Sequence, residues 1–244
     1  DAVMVARGDL GVEIPLEEVP IAQQKIIDSA LELGMPVIVA TQMLETMTVN
    51  PRPTRAEVSD VSTAIRQGAT GVMLSGETAS GKYPVESVQT MSRIAASTEQ
   101  GLQSSDLKPE SATRFKSTRA VAHAGVELAK MAGASRILVA TERGNAPRLV
   151  SSYRPGMPVT AVTDSLVTAR RIQILSGVDS VIVEEYERGS KTMQNAIALQ
   201  LDSGKVQPGD KIVAISGSPK AISGLTSTAR LYKISDSGEI VGTE

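Results

Sequence analysis

The chain contains no cysteine, one histidine and one phenylalanine among its 244 residues. The missing thiols exclude a disulfide framework, a thiolate metal site and a cysteine nucleophile, and they fit a reducing compartment, so a cytoplasmic protein is the expectation. Charge of one sign is lacking too. The 25 basic and 27 acidic residues are mixed along the chain, so no basic stripe invites a nucleic acid or an anionic membrane. No apolar run approaches the length of a membrane span, and the opening residues Asp1 to Val5 carry neither a starting methionine nor the basic flank of a signal peptide. Native termini usually lie on polar surface segments, so an opening on an apolar, strand-like run leads to the expectation of a fragment or processed chain that starts inside a larger fold.

What the first hundred residues do hold is a repeated alternation: a short apolar run, a loop of polar and glycine residues, then a helical pattern. This is the signature of β-α units on a parallel sheet. The runs are Val3 to Ala6, Pro36 to Ala40 and Gly71 to Leu74, uninterrupted enough to be strands buried on both faces. The first helix sets Val19, Ala22, Ile26, Ala30 and Leu33 on one stripe and stops at Gly34. The second is announced by Pro51 and Pro53, with Thr54 as cap and Glu57 completing a capping box, Val58, Val61 and Ile65 inward, and Gly68 at the end. The third starts near Pro84 and runs through Val85, Val88, Met91 and Ile94.

A polar stretch follows and reads as a linker over residues 100–117, between a first domain at 1–99 and a second at 118–244. There the same grammar resumes: a helix around Ala120 to Met131, a strand Ile137 to Ala140, a helix from Ala146, a strand Val159 to Val162, and a helix capped at Asp164 or Ser165. A strand Val181 to Val183, a helix near Met193 to Leu201 and a strand Ile212 to Ile215 come next. No helical period spans Gly217 to Ser227, so the last strand, Ala229 to Ile234, is expected to pair antiparallel or cap an edge. This makes a complete five-stranded α/β domain. Three parallel units alone make a poor domain, because a parallel sheet needs both faces and its edges covered; an eight-stranded β/α barrel is the economical completion, with its chemistry at the loops after the strands.

Three loops sit at those places: Ala6 to Gly11, Ala40 to Leu44 and Leu74 to Thr78. Asp9 suits a hard metal ion and Gly8 lets backbone approach an anion, although a turn or helix-cap aspartate is the commoner use of such a residue. Thr41 could hold a substrate carboxylate or merely cap its own backbone. Gly76 to Lys82 has the spacing of a phosphate-binding P-loop, but Tyr83 stands where such a loop has a serine or threonine, and Pro84 delays the helix past Lys82. The nucleotide-binding reading is therefore set aside. His123 falls within a helix and the nine methionines are scattered, so both read as packing or surface groups, as does Phe115 in the linker.

Four segments, Met4-Val5-Ala6-Arg7-Gly8-Asp9-Leu10-Gly11-Val12-Glu13, Ala40-Thr41-Gln42-Met43-Leu44-Glu45, Pro51-Arg52-Pro53-Thr54-Arg55-Ala56-Glu57 and Met73-Leu74-Ser75-Gly76-Glu77-Thr78, resemble pyruvate kinase segments, in family order and spacing. The resemblance implies an α/β chain comprising the last three strand-helix units of a (β/α)8 TIM barrel, followed by an allosteric α/β domain. It implies glycolytic phosphoryl transfer from phosphoenolpyruvate to ADP, giving pyruvate and ATP, with Mg2+ (or Mn2+) and, in most members, K+. By the same match Asp9 would bind the divalent metal, the Gly8 and Asp9 amides with the Thr41 hydroxyl would hold the substrate carboxylate, and Ser75 with Glu77 would border the water network that protonates the enolate. The family's phosphoryl-stabilising lysine, second metal carboxylate, phosphate arginine, K+ ligands and lid domain lie upstream of this stretch, so the chain alone is expected to be inactive.

The resemblance further places an effector such as a sugar bisphosphate between a loop over Thr141 to Ala146 and one over Ser216 to Thr228. Candidate contacts are Thr141, Arg143, Gly144, Asn145, Ser216, Gly224 and Thr226, with further donors from Ser218, Lys220, Ser223 and Ser227. Many effector-binding members have hydroxyl residues around the glycine of the first loop; here Arg143 precedes Gly144 and Ala146 follows two positions on. Family members are usually homotetramers. The competing reading is a non-enzymatic α/β module that binds a small phosphate.

Overall fold

The computed structural model describes residues 2–102, 116–186, 190–217 and 225–242, and the chain divides into two compact units, 1–110 and 111–244. Most of the expected linker, with Phe115, lies outside the described residues.

In the first unit β1 (Val3–Ala6), β2 (Val37–Ala40) and β3 (Gly71–Met73) form a parallel sheet in that order. Ala6 registers with Ala40 and Ala40 with Met73, so the three following segments leave from one edge. Only the central β2 is buried almost throughout; β1 and β3 are part-exposed, so burial on both faces belongs to the middle strand alone. The segment after β1, read from its glycines as a loop, coils instead into α1 (Arg7–Glu13). Leu10 packs on the unit's core there, and that contact outweighs the cost of two glycines.

The next helices, α2 (Val19–Glu32), α3 (Arg55–Arg66), α4 (Gly76–Ala79) and α5 (Pro84–Gln100), follow in order. The inward face of α2 carries Gln23, Ile27, Ala30 and Leu31, rotated from the apolar stripe expected, and Leu33 is exposed. Counting apolar residues skipped Gln23, whose buried amide is satisfied by Gln67 Oε1 at 2.6 Å. The same happens on α5, where Ser87 is buried with its hydroxyl on the Tyr83 carbonyl while Val85 and Val88 are exposed. On α3 the capping box forms as expected, but Ala64 rather than Val58 joins Val61 and Ile65 in the core.

The second unit runs α6 (Lys116–Ala132), β4 (Arg136–Ala140), α7 (Asn145–Ser152), β5 (Val159–Thr163), α8 (Leu166–Arg171), β6 (Val178–Ile182), α9 (Ser190–Asp202), β7 (Lys211–Ser216), β8 (Thr228–Ile234) and β9 (Ile240–Gly242). Its six-stranded sheet has the order β6-β5-β4-β7-β8-β9, with β8 antiparallel to β7 as expected. A sixth strand, β9, joins the expected five; its three residues are too few to show a period. The strand β6 begins at Val178 rather than Val181, because Asp179 and Ser180 are polar residues in the ladder against Thr160 and Ala161.

Alternate residues of this sheet feed two cores. Ile137, Val139, Val159, Ala161, Val213 and Ile215 face the core that holds Ala122 and Val126 of α6. Leu138, Val162, Ile212 and Ala214 face Met193, Ala196 and Ile197 of α9. Cover on both faces accounts for strands that read as unbroken apolar runs.

Candidate active site

At the carboxyl end of the first sheet the chain leaves β2 through two non-glycine residues in left-handed backbone, Thr41 at φ 72 and Gln42 at φ 54. For a β-branched residue this conformation is costly and persists only where its surroundings impose it. Arg7, the first residue after β1, does so: its Nε and Nη2 donate to the Thr41 carbonyl at 3.2 and 2.5 Å. Its Nη1 donates to both carboxylate oxygens of Asp60 on α3 at 2.7 Å. The Gly8 amide donates to Thr41 Oγ1 at 3.0 Å. Asp9 follows, exposed, and among the described residues its side chain makes no hydrogen bond or ion pair.

Two more side chains fix the same loop. Glu77 on α4 is fully buried. Its Oε1 accepts the Leu44 amide at 2.9 Å and its Oε2 the Ser75 amide at 2.8 Å. Glu57 accepts the Thr46 amide at 2.6 Å on one oxygen and the Thr54 amide at 2.7 Å on the other. Burial is the largest single influence on the Glu57 carboxyl and pushes its pKa up, but the hydrogen bonds from Thr46 and Thr54 together outweigh it and leave the group below its ordinary 4.5. The resemblance set Glu77 beside a water network; here its carboxylate is enclosed and committed to two amides, while Ser75 is half-buried at the loop surface.

In the glycine-rich segment after β3 the amides of residues 78–82 are taken by the chain's own carbonyls, which disfavours the P-loop reading. The Thr78 and Ala79 amides donate to the Ser75 carbonyl, those of Ser80 and Gly81 to Gly76, and that of Lys82 to Thr48 at 2.8 Å. For a divalent cation, Asp60 is held by Arg7 and Glu77 by two amides, which leaves Asp9 as the free carboxylate of the three. An exposed carboxylate suits Mg2+ or Mn2+ as one oxygen ligand of the several such ions need. Among the described residues no cluster of three or more metal-ligating side chains forms.

The second unit has a cleft of its own, lined by Thr141, Arg143, Asn145 and Thr226, with Glu142 and Tyr186 beside them. Gly144 sits at φ 85, a conformation open to glycine, and its amide donates to Thr141 Oγ1 at 2.8 Å, which folds the loop after β4 onto itself. Thr226 is buried, and the Ser216 hydroxyl pairs with that of Thr228 at 2.9 Å. Four of the seven expected residues thus line the cleft, while Gly224, like Ser218, Lys220 and Ser223, lies outside the described residues. Sequence reasoning missed Tyr186; its signal was a position just past the carboxyl end of a parallel strand, where ligands gather.

A sheet edge of this kind, with a carboxylate, an exposed amide and a hydroxyl at the ends of neighbouring parallel strands, defines a β/α-barrel type of site joined to an α/β domain. Residues 1–88 match the family profile described as "Pyruvate kinase, barrel domain", and 119–232 match "Pyruvate kinase, alpha/beta domain". The chain is 43% identical over 242 residues to the pyruvate kinase of Geobacillus stearothermophilus, covering 97% of this chain and 40% of that protein. It is 44% identical over 228 residues to pyruvate kinase 2 of a Synechocystis species, covering 93% of this chain and 38% of the relative. The crystal structure of a pyruvate kinase from Cryptosporidium parvum superposes with a TM-score of 0.83 at 36% identity, over 96% of this chain and 47% of that one. The chain belongs to the pyruvate kinase family. It spans less than half the length of these relatives. Among the described residues no helix is long and apolar enough to cross a membrane.

Proposed function

We propose that this chain is the later part of a pyruvate kinase, which transfers the phosphoryl group of phosphoenolpyruvate to ADP and releases pyruvate and ATP. The observation that carries the reading is the Gly8–Thr41 hydrogen bond with Asp9 beside it, an amide, a hydroxyl and a free carboxylate at the ends of β1 and β2. In the reaction an ADP oxygen attacks phosphorus, the bond to the enol oxygen breaks, and the enolate takes a proton at its terminal carbon. Negative charge on the substrate carboxylate and the departing enolate must be met by fixed donors and positive charge.

In this reading the Thr41 hydroxyl and the Asp9 amide hold the carboxylate, the Gly8 amide orients that hydroxyl by donating to Thr41 Oγ1, and Asp9 would supply one oxygen to Mg2+ or Mn2+, which when bound would offset negative charge on substrate and phosphate. Ser75 borders the face from which the enolate is protonated. Glu77, enclosed with both oxygens on amides, serves that face by holding Ser75 and Leu44 in place. K+ is the expected second cofactor. The cleft of the second unit, through Thr141, Arg143, Asn145 and Thr226, is the place for an anionic effector such as a sugar phosphate. The assembly in view is a homo-oligomer, a tetramer for the whole protein, in a reducing cytoplasm.

This stretch by itself is proposed to be inactive, since one uncommitted carboxylate cannot hold Mg2+ in octahedral geometry. The test is coupled turnover of phosphoenolpyruvate and ADP with Mg2+ and K+, in the chain and in the longer protein that contains it, each with and without Asp9→Asn. Turnover confined to the longer protein and lost in its Asp9→Asn form supports the reading; turnover by the chain alone, or none in either, overturns it.

A further inference from the structure

We infer that Arg7 and Asp60 form a positioning pair that holds Thr41 in its left-handed conformation and so sets the hydroxyl that meets the substrate carboxylate. Three observations converge. Thr41 and Gln42 are successive left-handed residues without glycine at this sheet edge. Nothing in their local sequence favours that geometry, so a tertiary contact must impose it. The Arg7 guanidinium supplies that contact by splitting its donors, with Nε and Nη2 on the Thr41 carbonyl and Nη1 on Asp60.

The arrangement acts as a clamp. Both Asp60 oxygens chelate the single nitrogen Nη1, and the planar guanidinium then presents its Nε–Nη2 edge to the Thr41 carbonyl. Fixing that carbonyl fixes the peptide that follows and turns the Thr41 side chain toward the Gly8 amide, which it meets at 3.0 Å. Asp60 thus lies 53 residues from Arg7 in sequence and holds its Nη1 through both oxygens, and so governs where the hydroxyl points. Lysine in place of Arg7 keeps the charge for Asp60 but loses the fork that also reaches Thr41.

The test has one arm free of any activity, while the other rests on the pyruvate kinase reading. In the 244-residue chain, amide hydrogen exchange of Gly8 is compared among wild type, Arg7→Lys, Arg7→Gln and Asp60→Asn, with the Thr70 amide, which donates to Val37 at 2.7 Å, reporting the integrity of the sheet. Gly8 exchange rises about tenfold in the Gln and Asn variants, as the loss of one hydrogen bond implies, with Thr70 unchanged. Should Arg7→Gln lose Thr70 protection as well, Asp60→Asn, which keeps its shape and one acceptor, decides. In the longer enzyme Arg7→Lys and Asp60→Asn raise KM for phosphoenolpyruvate about tenfold, the scale expected of a misplaced contact, and leave KM for ADP unchanged. Unaltered Gly8 exchange, or the two KM values moving together, overturns the inference. If the wild-type enzyme does not turn over, the functional reading falls and the exchange arm still decides the clamp.

Discussion

The Gly8 amide and the Thr41 hydroxyl meet at 3.0 Å across 33 residues of sequence, tying the end of β1 to the end of β2. The bond leaves the hydroxyl proton of Thr41 free to donate outward, which is what an anionic carboxylate arriving at this edge requires. Replacing Thr41 with Val keeps the shape and removes both functions. In an active enzyme containing this chain, Thr41→Val should raise KM for phosphoenolpyruvate about 10- to 100-fold with little effect on KM for ADP. Steady-state kinetics with each substrate varied in turn checks this.

Glu77 is enclosed, and its two oxygens each take a backbone amide from a different loop. In Glu77→Gln one of those amides faces an NH2 group, so a buried donor is left without an acceptor. A loss of about 2 kcal/mol in unfolding free energy is expected, read from urea denaturation of the chain. A loss in turnover without a loss in stability would instead mark Glu77 as acting on the reaction itself.

Much of the scaffold was legible because its signals are local. Thr54 and Glu57 spell a capping box and form one, and the apolar runs name most strands, those of the second unit because helices cover both faces of the sheet. The inward faces of α2 and α5 were misread since Gln23 and Ser87 go inside with their hydrogen bonds satisfied, a fact of tertiary partners that no periodicity carries. Asp9 and Thr41 could be named from their motifs, but Asp60 could not, because only the fold brings it to Arg7.

Acid should weaken the α3 cap in a defined direction. The carboxyl of Glu57 lies below its ordinary 4.5 in the folded chain, so its ionised form stabilises folding fully above that value and the contribution is lost as pH falls through the lower folded value. Glu57→Gln, which keeps one acceptor, should cost about 1 kcal/mol near neutrality. The gap from wild type should close as the pH falls below 4.5 and through the lower folded value, as followed by urea unfolding across that range.

A second acid-sensitive group lies in the other unit. Asp179 on β6 takes Lys205 Nζ at 2.8 Å, the Thr160 hydroxyl at 2.6 Å and Arg136 Nη1 at 3.2 Å. Burial is the largest influence and raises its pKa, yet the hydrogen bonds of Lys205 and Thr160 with the charges of Arg136 and Lys205 bring it below 3.8. Because the Asp179 side chain is 35% exposed, solvent screens part of this attraction. Asp179→Asn should cost about 1 kcal/mol, mostly from leaving Arg136 in the sheet without its counter-charge. The stability of that variant, measured by thermal unfolding, should depend less on pH in the acid range than that of wild type.

The central claim is tested most directly by exchanging parts with a relative. The stretch of the Geobacillus stearothermophilus pyruvate kinase that this chain matches, at 43% identity, is replaced by this chain, and coupled turnover of phosphoenolpyruvate and ADP is measured with Mg2+ and K+. The account predicts an active hybrid whose turnover falls at least about 100-fold in Asp9→Asn, while the chain alone shows none. A folded hybrid without activity, or one indifferent to Asp9→Asn, would contradict it.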